Sequence, residues 1–125
     1  MTTFTHGYAL LIGVGRTEYT PWSLPVTVND ARSLHRLLTD AQRCAYADDD
    51  DHMRLLHDET ATRDAILDGL RWLRACAQAD PEATIVIFYS GHGWLEAQTG
   101  LYYLIPHDVK PTRQAPTALS GADFT

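Results

Sequence analysis

Apolar residues along this chain fall into two kinds of stretch, which alternate. Short runs at Tyr8–Val14, Met53–Leu56 and Thr84–Tyr89, the first and third with β-branched and aromatic residues, are too short for helices and predict strands. The third, Thr84-Ile85-Val86-Ile87-Phe88-Tyr89, carries no charge and predicts a strand buried on both faces, as in the middle of a parallel sheet. Between the runs, apolar positions recur at helical spacing. Val28, Ala31, Leu34, Leu38 and Ala41 predict one helix with Thr27 as its N-cap; Ile66, Leu70, Leu73 and Ala77 predict a second, capped by Thr62 and ended by Asp80-Pro81. A polar turn at Glu96–Gly100 then leads into a strand, Leu101–Ile105, stopped by Pro106.

Strand, helix, strand, helix, strand is the order of parallel pairing with right-handed crossovers. The expected fold is an α/β three-layer sandwich with a mostly parallel central sheet and flavodoxin-like topology. The first strand is expected between the Met53 and Thr84 strands, with the two helices on opposite faces. The gap between the first strand and the Thr84 strand is then a topological switch point, where open α/β sheets bind ligands. Near the end of the chain, Ser120-Gly121-Ala122-Asp123 has the Ser-x-x-acid form of a helix start.

Composition narrows the function. At 125 residues, 45% hydrophobic and 21% charged, the chain fits one globular domain. A net charge of −6 with no Lys/Arg cluster argues against a nucleic-acid partner. No stretch is long enough to span a membrane, and the apolar run Ala9–Val14 lacks the basic region and cleavage site of a signal peptide. Cys44 and Cys76 have neither disulfide-framework nor zinc spacing, which fits a reducing, cytoplasmic setting. Gly13-Val14-Gly15 lacks the third glycine of a dinucleotide fingerprint, and it also occupies the place where a receiver-like domain needs an acidic pair. The aspartates at 48–51 lack the turn glycine and the bidentate glutamate of a calcium loop and read as a solvated acidic loop. His6, His35, His52, His57 and His107 show no metal-ligand spacing, and Trp22, Trp72 and Trp94 read as core or groove lining. No metal and no cofactor are expected.

Chemistry concentrates where the Thr84 strand ends, at Ser90-Gly91-His92-Gly93. A titratable imidazole between glycines that let backbone approach closely is a general-base candidate. A turn histidine at a strand end is the plainer alternative.

Tyr89-Ser90-Gly91-His92-Gly93 resembles the catalytic-histidine motif of the caspase-like cysteine proteases, in the form closest to metacaspases and bacterial caspase-like proteins. Tyr8–Val14 resembles the family's first strand, Val28-Asn29-Asp30-Ala31 the start of its first helix, and Leu104-Ile105-Pro106-His107-Asp108 the segment after the histidine loop. The resemblance implies that His92 is the catalytic base and that the Gly93 N–H belongs to the oxyanion hole. It also implies that Asp30, with Ser90, lines a primary specificity pocket selecting Arg or Lys. Asp30 has a second reading, as the acid of a Thr27-x-x-Asp30 capping box. The family's nucleophilic cysteine follows the histidine by about 50 residues, which puts it past Thr125. The chain is therefore expected to be the N-terminal, large-subunit-like part of the peptidase, truncated before the nucleophile strand and inactive alone. Its expected partners are protein or peptide substrates and the C-terminal remainder with the cysteine. A non-catalytic caspase-fold module in assembly is the alternative, and the resemblance leaves calcium activation open.

Overall fold

A computed structural model describes residues 2–19, 26–110 and 118–124. Strand β1 (Gly7–Gly13) is followed by helix α1 (Val26–Thr39), strand β2 (Met53–His57), a 3-10 turn (Asp58–Thr60), helix α2 (Arg63–Ala79) and strand β3 (Thr84–Ser90). The sheet order is β2-β1-β3 and both pairings are parallel, with Ala9 opposite Met53 and Val86. This is the order that the alternation of runs and helices predicts. The fold is a small α/β sandwich with a helix on each face.

Strand β1 is apolar throughout its middle because it is covered on all sides. Leu10 and Ile12 face α2 and join Ile66 and Leu73 in one core; Ala9 and Leu11 face α1 and join Leu38, Met53 and Tyr46 in the other. Each fully buried Leu or Ile contributes about 1.5–3 kcal/mol. Gly69 lets α2 lie close to the sheet: a Cβ there would come within 2.8 Å of Leu10 Cδ1. Thr62 caps α2, its hydroxyl accepting from the Ala65 N–H at 3.2 Å. Ala41 and Ala77, expected on the helices' inner faces, are exposed, and Ala41 lies past the end of α1.

Strand β3 departs from expectation. Its uncharged run predicts burial on both faces, yet Ile87 is 42% exposed and the outer edge of β3 is unpaired among the described residues. Val86 and Phe88 pack under α1, whereas Ile85 and Ile87 line an open groove of about 760 Å³ with Leu70, Arg71, Arg74 and Phe124. The run is apolar because one side meets a core and the other meets this groove.

Beyond β3 the chain forms a second, antiparallel sheet of β4 (Gly93–Leu95), β5 (Tyr102–Leu104) and β6 (Leu119–Ser120), in that order. Trp94 and Tyr103 pair on one face with ring centroids 5.1 Å apart, beside Ile105, Val109 and Ala118, while Leu104 and Leu119 on the other join the α2 core. Ser120-Gly121-Ala122-Asp123 opens a 3-10 turn (Gly121–Phe124) rather than an α-helix. Its Asp123 carboxylate accepts from the Ser120 N–H at 2.9 Å and the Ser120 hydroxyl at 3.2 Å. No helix of the described residues is long and apolar enough to cross a membrane.

The amino end of the sheet is held by a polar cluster. Asp80 Oδ2 lies 2.7 Å from His6 Nδ1 and accepts from the Tyr8 hydroxyl at 2.9 Å, while Glu82 lies 3.3 Å from His6 Nε2. The hydrogen bond to Asp80 raises the His6 pKa above its ordinary value, and the same bond, with that from Tyr8, lowers the Asp80 pKa. The His6 contribution to stability is full below about pH 6.5 and fades as pH rises through the raised folded value. The Asp80 contribution is present above about pH 3.9 and fades as pH falls through the depressed one. Asp80→Asn should therefore lower the thermal midpoint more at about pH 5.5 than at about pH 9; equal losses in calorimetry at the two pH values would show that His6 contributes nothing.

Candidate active site

The carboxyl ends of β1 and β3 are joined at one point. Gly13 lies opposite Ser90, and the Val14 N–H donates to the Ser90 carbonyl at 2.9 Å. The chain then turns sharply through Gly91, where a Cβ would fall 2.6 Å from the Tyr89 hydroxyl and 3.3 Å from Val14 Cβ. His92 follows, between β3 and β4. The Ile105 N–H donates to its carbonyl at 3.1 Å. The buried Tyr89 phenol lies 2.8 Å from that carbonyl and 2.7 Å from the Ile105 carbonyl, and accepts from the Ile105 N–H at 3.2 Å. Burial pushes the Tyr89 phenol far above its ordinary pKa, so it remains a donor throughout the physiological range. The backbone of His92 is thus pinned, while its half-buried imidazole has no hydrogen-bond partner among the described residues.

Helix α1 brings Asp30 to the same end of the sheet. Gly13 permits its approach, since a Cβ there would lie 2.8 Å from the Thr27 carbonyl and 3.0 Å from Val28 Cα. The expected N-cap at Thr27 is wrong. The helix already includes Val26, Thr27 sits inside its first turn, and its buried hydroxyl has no hydrogen-bond partner. The capping-box reading of Asp30 fails with it, because Asp30 is past the first turn, where a side chain no longer reaches unpaired N–H groups. Its Oδ2 instead accepts from the Ser90 hydroxyl at 3.0 Å, across 60 residues of sequence. Ser90 can do this because alternation along β3 puts it on the α1 face with Val86 and Phe88. Both side chains are open to solvent, and no cationic side chain pairs with Asp30 among the described residues.

Gly93 begins β4, and its backbone orientation follows from the hydrogen bonds on either side. The Ile105 N–H donates to the His92 carbonyl, and the Glu96 N–H donates to the Leu101 carbonyl at 2.9 Å. Antiparallel ladders alternate, so 92/105, 94/103 and 96/101 are the bonded pairs, and the N–H groups of Gly93 and Leu95 point away from β5. The Tyr102 hydroxyl lies over the face of Gly93, where any Cβ would collide with it.

The structure thus brings Asp30, Ser90, His92 and Gly93 to one end of the sheet. Several further contacts support it. Asp108 Oδ1 accepts from the Arg63 N–H at 2.9 Å, tying the segment after β5 to the start of α2. The His107 ring lies 2.6 Å from the Arg16 carbonyl, and Asp58, in a left-handed conformation with φ of 47°, accepts from the Arg16 N–H at 2.8 Å. Arg16 also pairs with Glu59. These bonds anchor the loop leaving β1. The Ser-Gly-His-Gly run and the resembling segments at Asp30 and at His107-Asp108 pointed to the area; the contacts through Arg16, Asp58 and Glu59 had no such signal.

Cys44 and Cys76 lie at the opposite end of the sheet. Cys44 follows α1 beside Tyr46, which packs on Gly7, and Cys76 is one turn from Asp80 near the end of α2, where burial pushes its thiol up. In the acidic loop, Asp48 pairs with His35 at 2.9 Å and Asp49 with His52 at 2.6 Å. No cluster of three or more His, Cys, Asp or Glu suited to a metal occurs among the described residues. Trp94 is packed as described, Trp72 carries the Arg54 guanidinium at 4.5 Å from its ring centroid, and Trp22 lies outside the described residues.

The family model of the peptidase C14 caspase domain matches residues 6–122 of this chain. No curated protein matches it.

Tyr89→Phe should destabilise the fold by about 1–3 kcal/mol, because it removes a buried hydroxyl that serves both His92 and Ile105. Urea denaturation of the two proteins measures this, and an unchanged midpoint would mean the phenol does not hold the histidine turn.

Proposed function

The chain belongs to the caspase-domain family of peptidases, and from that premise we propose that it carries the base, one oxyanion donor and the basic-specificity pocket of a cysteine endopeptidase. Membership places it among proteases acting on protein substrates in general. The more specific reading is supported by one convergence: Asp30 and Ser90, far apart in sequence, meet at the strand end from which His92 and the outward-facing Gly93 N–H emerge.

In this reading a cysteine thiolate, supplied outside the residues described, attacks the carbonyl carbon of the scissile bond. The developing oxyanion accepts from the Gly93 N–H, a donor with no side chain in front of it. The His92 imidazolium gives its proton to the leaving amine as the C–N bond breaks. Water, deprotonated by His92, then hydrolyses the thioester and restores the thiolate. Asp30 keeps Oδ1 free for a substrate guanidinium or ammonium while Ser90 holds Oδ2, which favours Arg or Lys before the cleaved bond. The unpaired edge of β3 and the apolar groove beside it are the place for a further strand and its covering helix from the remainder of the peptidase domain. A parallel strand there would end next to His92.

In the complete protein, His92→Ala should lower turnover by about 10²–10⁴ at equal folded fraction. Activity persisting near the wild-type level would reduce His92 to a turn residue and favour a non-catalytic module. Asp30→Asn should cut kcat/KM for Arg substrates by about tenfold or more while moving the thermal midpoint little, since Asp30 is exposed and does not cap α1. Efficient cleavage after Arg by this variant would dismiss the pocket role.

A further inference from the structure

Among the described residues, the outward edge of β4 is unpaired and contiguous with the proposed catalytic residues. Ladder alternation turns the N–H and C=O groups of both Gly93 and Leu95 away from β5, and no other described residue pairs with them. The same alternation puts the side chains of Leu95 and Tyr102, opposite one another in the ladder, on the face shared with Gly93. Leu95 is 61% exposed and Tyr102 53%, although both are large and apolar, while Trp94 and Tyr103 on the other face are packed away. An open backbone edge with an apolar ledge beside it is how sheets take up extended peptides: main-chain hydrogen bonds give affinity and alternate side chains give selectivity.

Resting on the peptidase reading, we propose that the substrate segment following the scissile bond adds to the β4 edge as a parallel strand, its apolar side chains lying on Leu95 and Tyr102. The register follows from one bond. If the Gly93 N–H binds the carbonyl of the residue before the cut, parallel pairing aligns the first residue after the cut with Gly93 and the third with Leu95. Those two side chains lie on the Leu95–Tyr102 side of the hairpin, the first beside the Tyr102 hydroxyl over Gly93 and the third against Leu95. The direction follows from the two faces of β3. Asp30 and Ser90 receive the residue before the cut on the α1 side, and the hairpin of β4 and β5 packs towards the α2 side, where Leu104 and Leu119 join the α2 core. The leaving segment departs from the pocket towards the hairpin.

Two measurements on the complete protein test this. The first compares cleavage of a ten-residue peptide, with Leu at the first and third positions after Arg, against an Arg amide carrying only a small fluorogenic leaving group. Leu95→Asp and Tyr102→Ala should each lower the peptide-to-amide ratio of kcat/KM by about fivefold or more, and an unchanged ratio in both overturns the proposal. The second reads binding without turnover, by amide NMR in the His92→Ala background with the same peptide. Gly93 and Leu95 amides should shift, and N-methylation of the second peptide residue after Arg, whose N–H would reach the Gly93 carbonyl, should abolish the shift. Shifts at Gly93 and Leu95 without any cleavage by the wild type would support the edge and reject the peptidase reading. Cleavage without those shifts would reject the edge alone.

Discussion

Burial of strand β1 is the constraint from which the other elements take their places. Leu10, Leu11 and Ile12 are fully enclosed, so the strand needs a partner on each edge and a helix on each face. Their alternation sends Leu10 and Ile12 to α2 and Leu11 to α1, which divides the interior into two cores that share no side chain but share one backbone. Parallel partners on both edges require crossovers, and the crossovers are the helices themselves. A strand so enclosed leaves only its two ends for other work. At the amino end it meets a polar clamp of His6, Tyr8 and Asp80, and at the carboxyl end the residues of the site.

The site depends on that strand through backbone, not side chains. Gly13 admits the first turn of α1, the Val14 N–H holds Ser90, and Val14 packs against the turn at Gly91. Each of these fixes a group of the site by short covalent distance: α1 carries Asp30, and the Gly91 turn carries His92. Tyr89 adds the link to β5, tying the histidine backbone and the hairpin to the sheet end. The imidazole ring itself is left without a hydrogen-bonding side chain among the described residues, which leaves it open for the proton transfers proposed for it.

Much of this was legible from the chain. Three short apolar runs separated by two amphipathic stretches leave few topologies open, and the β2-β1-β3 order puts the run at Tyr8–Val14 innermost, as the alternation predicts. The histidine turn was legible from its glycines. That Asp30 and Ser90 belong together was implied by the family resemblance alone; the hydrogen bond between them was not legible in the spacing, because it depends on the alternation phase of β3 and the rotational setting of α1. The start of α1 was misread for a related reason: Thr27 is a good capping residue by type, but the close pass of the helix over Gly13 buries it inside the first turn. Strand β4 has three residues, one of them glycine, and gives no periodic signal at all. The exposure of Ile87 was hidden because an apolar run looks the same whether its second side faces a core or a groove.

The outer edge of β3, unpaired among the described residues, bears on how the protein is made. It offers seven consecutive residues without charge, proline or bulge, flanked by apolar surface. Natural edge strands are usually interrupted by such features because an uninterrupted one templates growth of the sheet by other molecules. Among the described residues lining the groove, the positive charges, Arg71 and Arg74, stand on the helix and not on the strand itself. During synthesis this edge is a hazard from the moment β3 docks on β1 until something covers it. Concentration, temperature and the speed of that covering step then decide between soluble protein and aggregate.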